Sequence, residues 1–234
     1  METCYKEKVT QYIYNLKKTF EKIIKSNPEI KNKFKELIEN VELYIKDAEK
    51  YIEENNWFTA LCCIAYAEGL LDSLRFLKIL DIEWEKEKIK MKKIVVAGTF
   101  EIIHPGHIYL FKEAAKYGVV YVIVARDKNV EKFKGRKPII PESQRLEVVK
   151  SIRYVDYAIL GDENDILRPI IEIKPDIIIL GYDQKINEEW LKKELESRGL
   201  KHVKIIRLGK LEGELYSSSK IIKKIINEFK NVNL

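Results

Sequence analysis

The sequence predicts a bundle of three helices followed by an α/β domain whose five strands form a parallel sheet. In roughly the first ninety residues, apolar side chains recur at helical spacing. From Lys92 onward, short apolar runs alternate with amphipathic stretches, as they do in sheets whose strands are linked by helices. The stretch 81–93 between them alternates in charge and reads as a linker or a frayed helix end. We therefore expect domains at 1–88 and 91–234.

The composition is that of a globular protein of modest positive charge. Hydrophobic residues make up 46% of the 234 residues, charged residues 34%, and the net charge is +6. This charge is compatible with anionic small molecules and does not by itself require nucleic acid. The bias toward Lys, Glu and Ile is typical of thermophile proteins. We find no signal peptide and no apolar run long enough to span a membrane, so we expect a cytoplasmic protein without a membrane partner.

The N-terminal part shows three apolar stripes at helical spacing. They run over Tyr5–Ile23, Ile30–Tyr51 and Trp57–Leu80, and the third is apolar around much of its surface. Such a helix must be covered on several sides, which favours an up-down bundle. Glu68 and Asp72 lie one turn apart there, and we interpret them as solvated or capping charges. Without a catalytic cluster, this part is expected to serve dimerisation or docking.

The C-terminal part places its polar segments where predicted strands end. Because such strand ends meet at one edge of a parallel sheet, these segments should converge on one rim. The expected strands are Ile94–Ala97, Val119–Ala125, Tyr157–Leu160, Asp176–Leu180 and Val203–Arg207. The expected helices follow Gly106 and begin near Pro141, Asp165, Asn187 and Ser217, with Arg126–Lys137 as a basic loop.

Two of the three histidines, His104 and His107, lie in one turn between the first strand and its helix. A helix start presents unpaired N–H groups and a positive dipole end, so phosphate binds well there. The histidines are three residues apart and should share one helix face. A zinc site would need further ligands, and Glu101 is the only nearby candidate. The turn therefore predicts a phosphate site and no protein-held metal.

Five segments, taken in order, resemble one family. They read GTFEIIHPGH (98–107), KGRKPIIPESQR (134–145), RYVD (153–156), GYDQ (181–184) and YSSSKI (216–221). This order is similar to that of the cytidylyltransferase-like nucleotidyltransferases with an HxGH motif, and is most similar to the archaeal FAD synthetases. The resemblance implies a Rossmann-like sheet. The helical part resembles an archaeal domain of unknown function that is fused to such transferases.

The resemblance also implies a reaction and its residues. A substrate phosphate would attack the α-phosphorus of a nucleoside triphosphate and expel pyrophosphate, with Mg²⁺ bridging phosphate oxygens. The catalytic residues implied are His104, His107 and Lys134. The nucleotide-binding residues implied are Gly98, Thr99, Phe100, Gly106, Arg136, Arg145, Gly181, Asp183, Ser217, Ser218 and Ser219. Glu101 stands where the family usually has an aspartate, so a metal or ribose role at this position is left open.

Three functions remain open on the sequence. The first is an FMN adenylyltransferase that makes FAD from FMN and ATP. The second is a CTP-dependent transferase that acts on glycerol 3-phosphate or a related phosphorylated alcohol, which the segments RYVD and YSSSKI favour. The third is a nucleotide-binding scaffold or sensor whose helical part does the work. We expect a homodimer that binds a nucleotide and a phosphorylated small molecule, and no nucleic acid.

Overall fold

The computed structural model describes residues 5–211, 213 and 215–230. The chain divides into two compact units, Met1–Lys90 and Met91–Leu234. The first unit contains only helices and extended segments among its described residues, and the second is built on a sheet.

Three long helices form the first unit. α1 (Tyr5–Ser26), the single-turn α2 (Ile30–Lys33), α3 (Lys35–Glu53) and α4 (Trp57–Phe76) follow one another along the chain. Aliphatic residues on the inward faces of the long helices make one core. The predicted bundle is confirmed. The second predicted helix is interrupted at Phe34, whose φ of −128° and ψ of 48° are not helical.

The residues after the bundle run extended along it. In the stretch 81–90, Ile82 is buried and Trp84 packs half-buried against the bundle core. The backbone N–H of Glu85 donates to Oγ1 of Thr19 on α1 at 3.0 Å. This part of the expected linker or frayed helix end is therefore a strap, held on the bundle by packing and hydrogen bonds.

Among the described residues, α4 is the one helix long and apolar enough to cross a membrane, judged by length and composition alone. A single helix of this kind is weak support for a membrane protein, since the core helix of a bundle passes the same test. The face of α4 with Ala60, Ile64, Ala67 and Leu71 is buried in the bundle core.

A five-stranded parallel sheet forms the centre of the second unit. Its strands are β1 (Lys93–Gly98), β2 (Val119–Val124), β3 (Tyr157–Leu160), β4 (Ile177–Leu180) and β5 (Lys204–Arg207), in the spatial order β3-β2-β1-β4-β5. β1 pairs with both β2 and β4, so the strand order reverses between β1 and β4. This confirms the expected Rossmann-like sheet. In such sheets ligands bind at the carboxyl ends of the strands, at the point of reversal.

In the described part of the second unit, six helices connect or follow these strands. They are α5 (Pro105–Ala115), α6 (Asp127–Lys134), α7 (Glu142–Lys150), α8 (Arg168–Ile173), α9 (Glu188–Ser197) and α10 (Ser218–Phe229). Most of the expected basic loop is helix α6, so that prediction is wrong for 127–134. α6 ends at Gly135, which adopts a left-handed conformation with φ of +67°. Such a glycine is a common helix stop.

Candidate active site

The turn after β1 is shaped by one aromatic ring. Phe100 is almost fully buried and has a positive φ of 53°, which is rare for a residue with a side chain. Its ring occupies the space that a side chain on Gly98 would need, since a Cβ there would lie 2.7 Å from the ring. The same ring packs edge-on against His107, with centroids 5.2 Å apart. Gly98 and Phe100 thus fix where the histidine turn stands.

His104 and His107 meet at the start of α5. His104 is the N-cap in an extended conformation, and its carbonyl accepts the N–H of His107 at 2.9 Å. The two imidazole rings stack with centroids 3.8 Å apart and planes 22° from parallel. Between them, a Cβ on Gly106 would lie 3.0 Å from both His104 Nδ1 and the carbonyl oxygen of Tyr216. Only glycine fits this position without a shift, which explains the small residue between the histidines.

Both histidines are held in the neutral form. Burial lowers the pKa of His107 to about 3, with the neighbouring His104 and Lys134 acting in the same direction and the backbone of Ile102 opposing. Burial also lowers the pKa of His104, although Asp183 opposes it. Among the described residues, the buried Nδ1 atom of each ring has no hydrogen-bond partner. Buried polar atoms normally find partners, so this pair is prepared for a ligand.

Glu101, in the loop after β1, holds the basic segment 135–139 that follows α6. The side chain of Glu101 is only 3% exposed and accepts hydrogen bonds from Arg136 Nη2 at 2.7 Å and Nη1 at 3.3 Å. The backbone N–H of Ile139 donates to the same carboxylate. The bonds from Arg136 keep the pKa of Glu101 below its usual value despite burial. Glu101 is thereby committed to anchoring this segment.

Lys134 is the last residue of α6, directly before that segment, and its charge influences His107. Among the described residues, its ammonium group has no hydrogen-bond or ion-pair partner. Its side chain is largely exposed, yet partial desolvation of the ammonium, followed by the charge of Arg136, lowers the pKa of Lys134. Its charge acts on His107, and Asp183 acts on Lys134 in turn. Lys134 is therefore a cation available to a ligand, whereas Arg136 is paired.

Arg145 connects the loops that follow β1 and β2. Its guanidinium is fully buried and donates to the carbonyl oxygens of Thr99, Ala125 and Ile140. It also pairs with Asp127 at 2.7 Å. A side chain used in this way braces the loops after β1 and β2. In this structure Arg145 positions Thr99, and its contact with the nucleotide stays a prediction.

The loop after β4 contributes the next group of site residues. Asp183 follows Gly181 there and is exposed, close enough for its charge to act on His104. Gln184 ties the loop to β1, because its Nε2 donates to Ala97 O at 2.6 Å while its Oε1 accepts the N–H of Gly181 at 3.1 Å. Arg207 from the end of β5 donates to the carbonyl oxygens of Gly181 and Gln184, each at 2.9 Å.

The serines lie at the start of α10, beside the histidine turn. Ser218 Oγ donates to the carbonyl oxygen of Ile102 at 3.3 Å. Ser217 is the N-cap, but its side chain makes no capping hydrogen bond. Ser219 is exposed in the first turn of the helix. Because the Tyr216 carbonyl also lies close to Gly106, this helix start stands next to the histidine pair.

The structure therefore brings the histidine turn, Lys134, Asp183 and the serine helix start to one place. The roles of Gln184 and Arg207 in shaping the β4 loop were not predicted. The only sequence signal for Gln184 is its position in the GYDQ segment, and Arg207 carries none. No group of three or more His, Cys, Asp or Glu residues in the described part of the chain is arranged to hold a metal.

Comparison with known families is consistent with this geometry. Residues 95–224 match the family model described as cytidylyltransferase-like. The chain belongs to the cytidylyltransferase-like family. Residues 11–80 match the model of a protein family of unknown function, DUF357. The C-terminal domain is thus a nucleotidyltransferase domain joined to a helical domain, as the resemblance implied.

Individual relatives cover the transferase domain almost from end to end. The FAD synthase of Ferroglobus placidus is 56% identical over 138 residues, which are 58% of this chain and 89% of that protein. The FAD synthase of Archaeoglobus fulgidus is 51% identical over 137 residues, 58% of this chain and 98% of that protein. Among solved structures, a lipopolysaccharide core biosynthesis protein from Thermoplasma volcanium matches with 42% identity and a TM-score of 0.50, covering 53% of this chain and all of its own.

Proposed function

We propose that this protein is an FMN adenylyltransferase that makes FAD and pyrophosphate from FMN and ATP. The FAD synthases of two archaea are about half identical to its transferase domain along nearly their whole lengths. In the reaction, an oxygen of the FMN phosphate forms a bond to the α-phosphorus of ATP. The bond from that phosphorus to the bridging oxygen of the β-phosphate breaks, and pyrophosphate leaves with the electron pair.

Such a transfer depends on positioning and on positive charge where negative charge gathers. The observation that carries the proposal is the stacked pair His104 and His107, whose buried Nδ1 atoms have no partner among the described residues. A neutral imidazole has a single N–H group. His104 can donate it to a phosphate oxygen, and His107 can do so by exchanging its contact with the backbone of Ile102 for the ligand. Lys134 supplies charge beside them, and the start of α10 offers backbone N–H groups to the β- and γ-phosphates.

Mg²⁺ would enter with the triphosphate. It is usually bound through one or two carboxylates together with substrate phosphates and water. Among the described residues of the site, Glu101 is paired with Arg136, whereas Asp183 is exposed and lies close enough to act on His104. We propose that Asp183 contributes to holding the ion, which when bound neutralises phosphate charge.

We also propose that the protein is a cytoplasmic homodimer that binds neither nucleic acid nor a membrane. The modest net charge supports a small anionic substrate.

The decisive experiment offers the full-length protein matched substrate pairs. FMN with ATP, FMN with CTP, and glycerol 3-phosphate with CTP are incubated separately with Mg²⁺, and pyrophosphate and the coupled product are measured. We expect pyrophosphate and FAD from FMN and ATP. Product only from CTP and glycerol 3-phosphate would overturn the FMN assignment in favour of a cytidylyltransferase.

A scaffold or sensor would behave differently. It would bind ATP without turnover on any of the three pairs, and exchanging both histidines for alanine would leave its biological role intact. His202 is exposed outside the site and provides a matched histidine control.

A further inference from the structure

Two apolar side chains at the ends of the basic region are left uncovered. Ile139 and Phe133 are 77% and 67% exposed, which makes them the most exposed large apolar side chains among the described residues of the second unit. Phe133 directly precedes Lys134 in the last turn of α6, and Ile139 ends the basic segment. Single exposed apolar residues are ordinary, but two of them beside a group of site residues indicate a place where a ligand binds.

The position of Phe133 on α6 shows that the space beside this helix end is open. Phe133 follows Val130 by three residues and Asn129 by four, so the three share one helix face. Asn129 and Val130 are 8% and 2% exposed, which identifies this face as the one turned toward the body of the domain. Phe133 lies on the same face and is nevertheless exposed. The domain therefore does not fill the space next to the last turn of α6, and the ring of Phe133 borders that space.

Ile139 is fixed beside the histidine turn through its backbone. Its N–H donates to the carboxylate of Glu101, in the loop after β1. The carbonyl of the next residue, Ile140, accepts a hydrogen bond from Nε of the buried Arg145 at 3.0 Å. The backbone around Ile139 is thus held in place while its side chain stays exposed. Because this backbone is already ordered, a ligand that covers the side chain pays little for fixing it.

The order of the strands assigns this side of the site to the acceptor. β2 and β4 flank β1 on opposite sides, so α6, which follows β2, lies on one side of the histidine turn and the loop after β4 lies on the other. α10 follows β5, which lies beyond β4. In the proposed transfer, pyrophosphate leaves toward the start of α10. The attacking oxygen must approach in line from the opposite direction, which is the side of α6.

We propose that Phe133 and Ile139 bind the isoalloxazine ring of FMN, and we call this pair the flavin site. The proposal rests on the FMN adenylyltransferase assignment and extends it to the part of the acceptor that does not react. FMN carries an aromatic ring at one end of its ribityl chain and a phosphate at the other. The end of α6 likewise offers an aromatic ring next to the cation Lys134. Aromatic rings stack favourably on one another, whereas glycerol 3-phosphate has no ring to stack. The flavin site therefore selects FMN over smaller phosphorylated alcohols.

Steady-state kinetics of surface variants test the flavin site. Phe133→Ala removes the ring, and Phe133→Tyr keeps it. Tyr117→Ala is the matched control, because Tyr117 is 43% exposed just beyond α5, at the other end of that helix from the histidines. We expect the KM for FMN to rise about tenfold in Phe133→Ala and by a smaller factor in Ile139→Ala, with the KM for ATP unchanged. Phe133→Tyr and Tyr117→Ala should keep both values.

The same kinetics can overturn the proposal in two ways. An unchanged KM for FMN in Phe133→Ala would show that the ring does not contact the acceptor. A rise in the KM for ATP alone would assign the ring to adenine instead. Since both side chains of the flavin site are exposed, their removal should leave the melting temperature of the protein unchanged, which separates a lost contact from a damaged fold.

Binding without turnover separates this proposal from the reaction on which it rests. FMN is titrated with the full chain in the presence of Mg²⁺ and a non-hydrolysable ATP analogue, and flavin fluorescence is followed, because stacking on an aromatic ring quenches it. We expect quenching by the unchanged chain and by Tyr117→Ala, and much weaker quenching by Phe133→Ala at the same concentration. FAD synthesis with equal quenching by Phe133→Ala would overturn the flavin site and leave the transfer standing. Quenching that requires Phe133, in a protein that makes no FAD, would overturn the transfer alone, and neither quenching nor FAD would overturn both.

Discussion

The histidine turn and the basic segment are neighbours that differ in whether their buried polar atoms have hydrogen-bond partners. In the histidine turn, the buried Nδ1 atoms of His104 and His107 have no partner among the described residues, and burial keeps both rings neutral. In the basic segment, Arg136 is bound to the buried carboxylate of Glu101. The histidine turn therefore keeps ring nitrogens without partners, whereas the charged groups of Glu101 and Arg136 are already bonded to each other within the protein.

This difference separates residues that wait for substrate from residues that build the site. A buried polar atom without a partner costs free energy, and a ligand that supplies the partner recovers it. A buried ion pair is already satisfied, and breaking it mainly harms the fold. By this criterion His104, His107, Lys134 and Ser217 belong with the ligand, while Glu101, Arg136 and Arg145 belong with the scaffold. The predictions below test that division.

Removal of a histidine should have the largest effect. His104→Ala or His107→Ala removes one hydrogen-bond donor from the place where charge develops, so kcat should fall about 10²–10³-fold, as for loss of one oxyanion-hole donor. Steady-state kinetics with FMN and ATP measure this. The double variant should lose less than the product of the two single losses, because the stacked rings act together. His202→Ala should keep full activity, and an equal loss there would remove the special role of the pair.

Arg136 tests the scaffold side of the division. Arg136→Met leaves the buried Glu101 carboxylate without its cation, so the free energy of unfolding should fall. We expect a loss of about 2 kcal/mol, less than the roughly 3–5 kcal/mol typical of a fully buried pair, because Arg136 is partly exposed. Combining it with Glu101→Gln removes the stranded charge and should restore part of that loss. Urea denaturation of the single and double variants measures both values. If Arg136→Met instead kept full stability and raised only the KM for ATP, Arg136 would belong with the ligand.

Parts of this architecture follow from local pattern and others do not. The strands were predicted because β2 and β4 are uninterrupted apolar runs, which only a fully covered strand tolerates. α6 was missed because it is short and polar, with Val130 as its buried apolar residue. The strap did carry a signal, since Leu80, Ile82 and Trp84 alternate inward with a period of two, which indicates extended chain.

The site was predicted in its residue types but not in its pairings. The histidine turn lies within ten consecutive residues, so motif and local geometry coincide. The Glu101–Arg136 pair joins residues 35 positions apart, and Arg207 reaches Gly181 across 26. Such partners depend on how the sheet brings distant loops together, and no local pattern encodes them. The burial of the Arg145 side chain and its pairing with Asp127 are likewise absent from the local pattern, which shows only an arginine after the basic segment.

The neutral state of His107 should appear in the pH dependence of stability. Its folded pKa of about 3 lies below the unfolded value of about 6.5, so the unfolded state binds the proton first as the pH falls. Above pH 6.5 the contribution of His107 to the free energy of unfolding is fully present. As the pH falls below 6.5, that contribution should decline by about 1.4 kcal/mol per pH unit until the folded pKa is reached. Urea denaturation of the unchanged protein and of His107→Ala, at pH 7.5, 6.0 and 5.0 under otherwise identical conditions, measures the difference. Equal slopes of the free energy of unfolding against pH in both proteins would contradict burial of a neutral ring.

Substitutions of Ser217 and Ser218 at the start of α10 should have the smallest effects, and they compare a serine bonded within the protein with one that is not. Ser218 donates to Ile102, so Ser218→Ala should lower the free energy of unfolding by about 0.5–1 kcal/mol. Ser217 makes no capping bond, so Ser217→Ala should leave stability within about 0.5 kcal/mol and raise the KM for ATP several-fold, since its hydroxyl is left for phosphate. Thermal melts and ATP titrations of both variants measure this. A stability loss at Ser217 equal to that at Ser218, with KM unchanged, would make it an ordinary cap, and unused hydrogen-bonding capacity would no longer distinguish ligand contacts from scaffold.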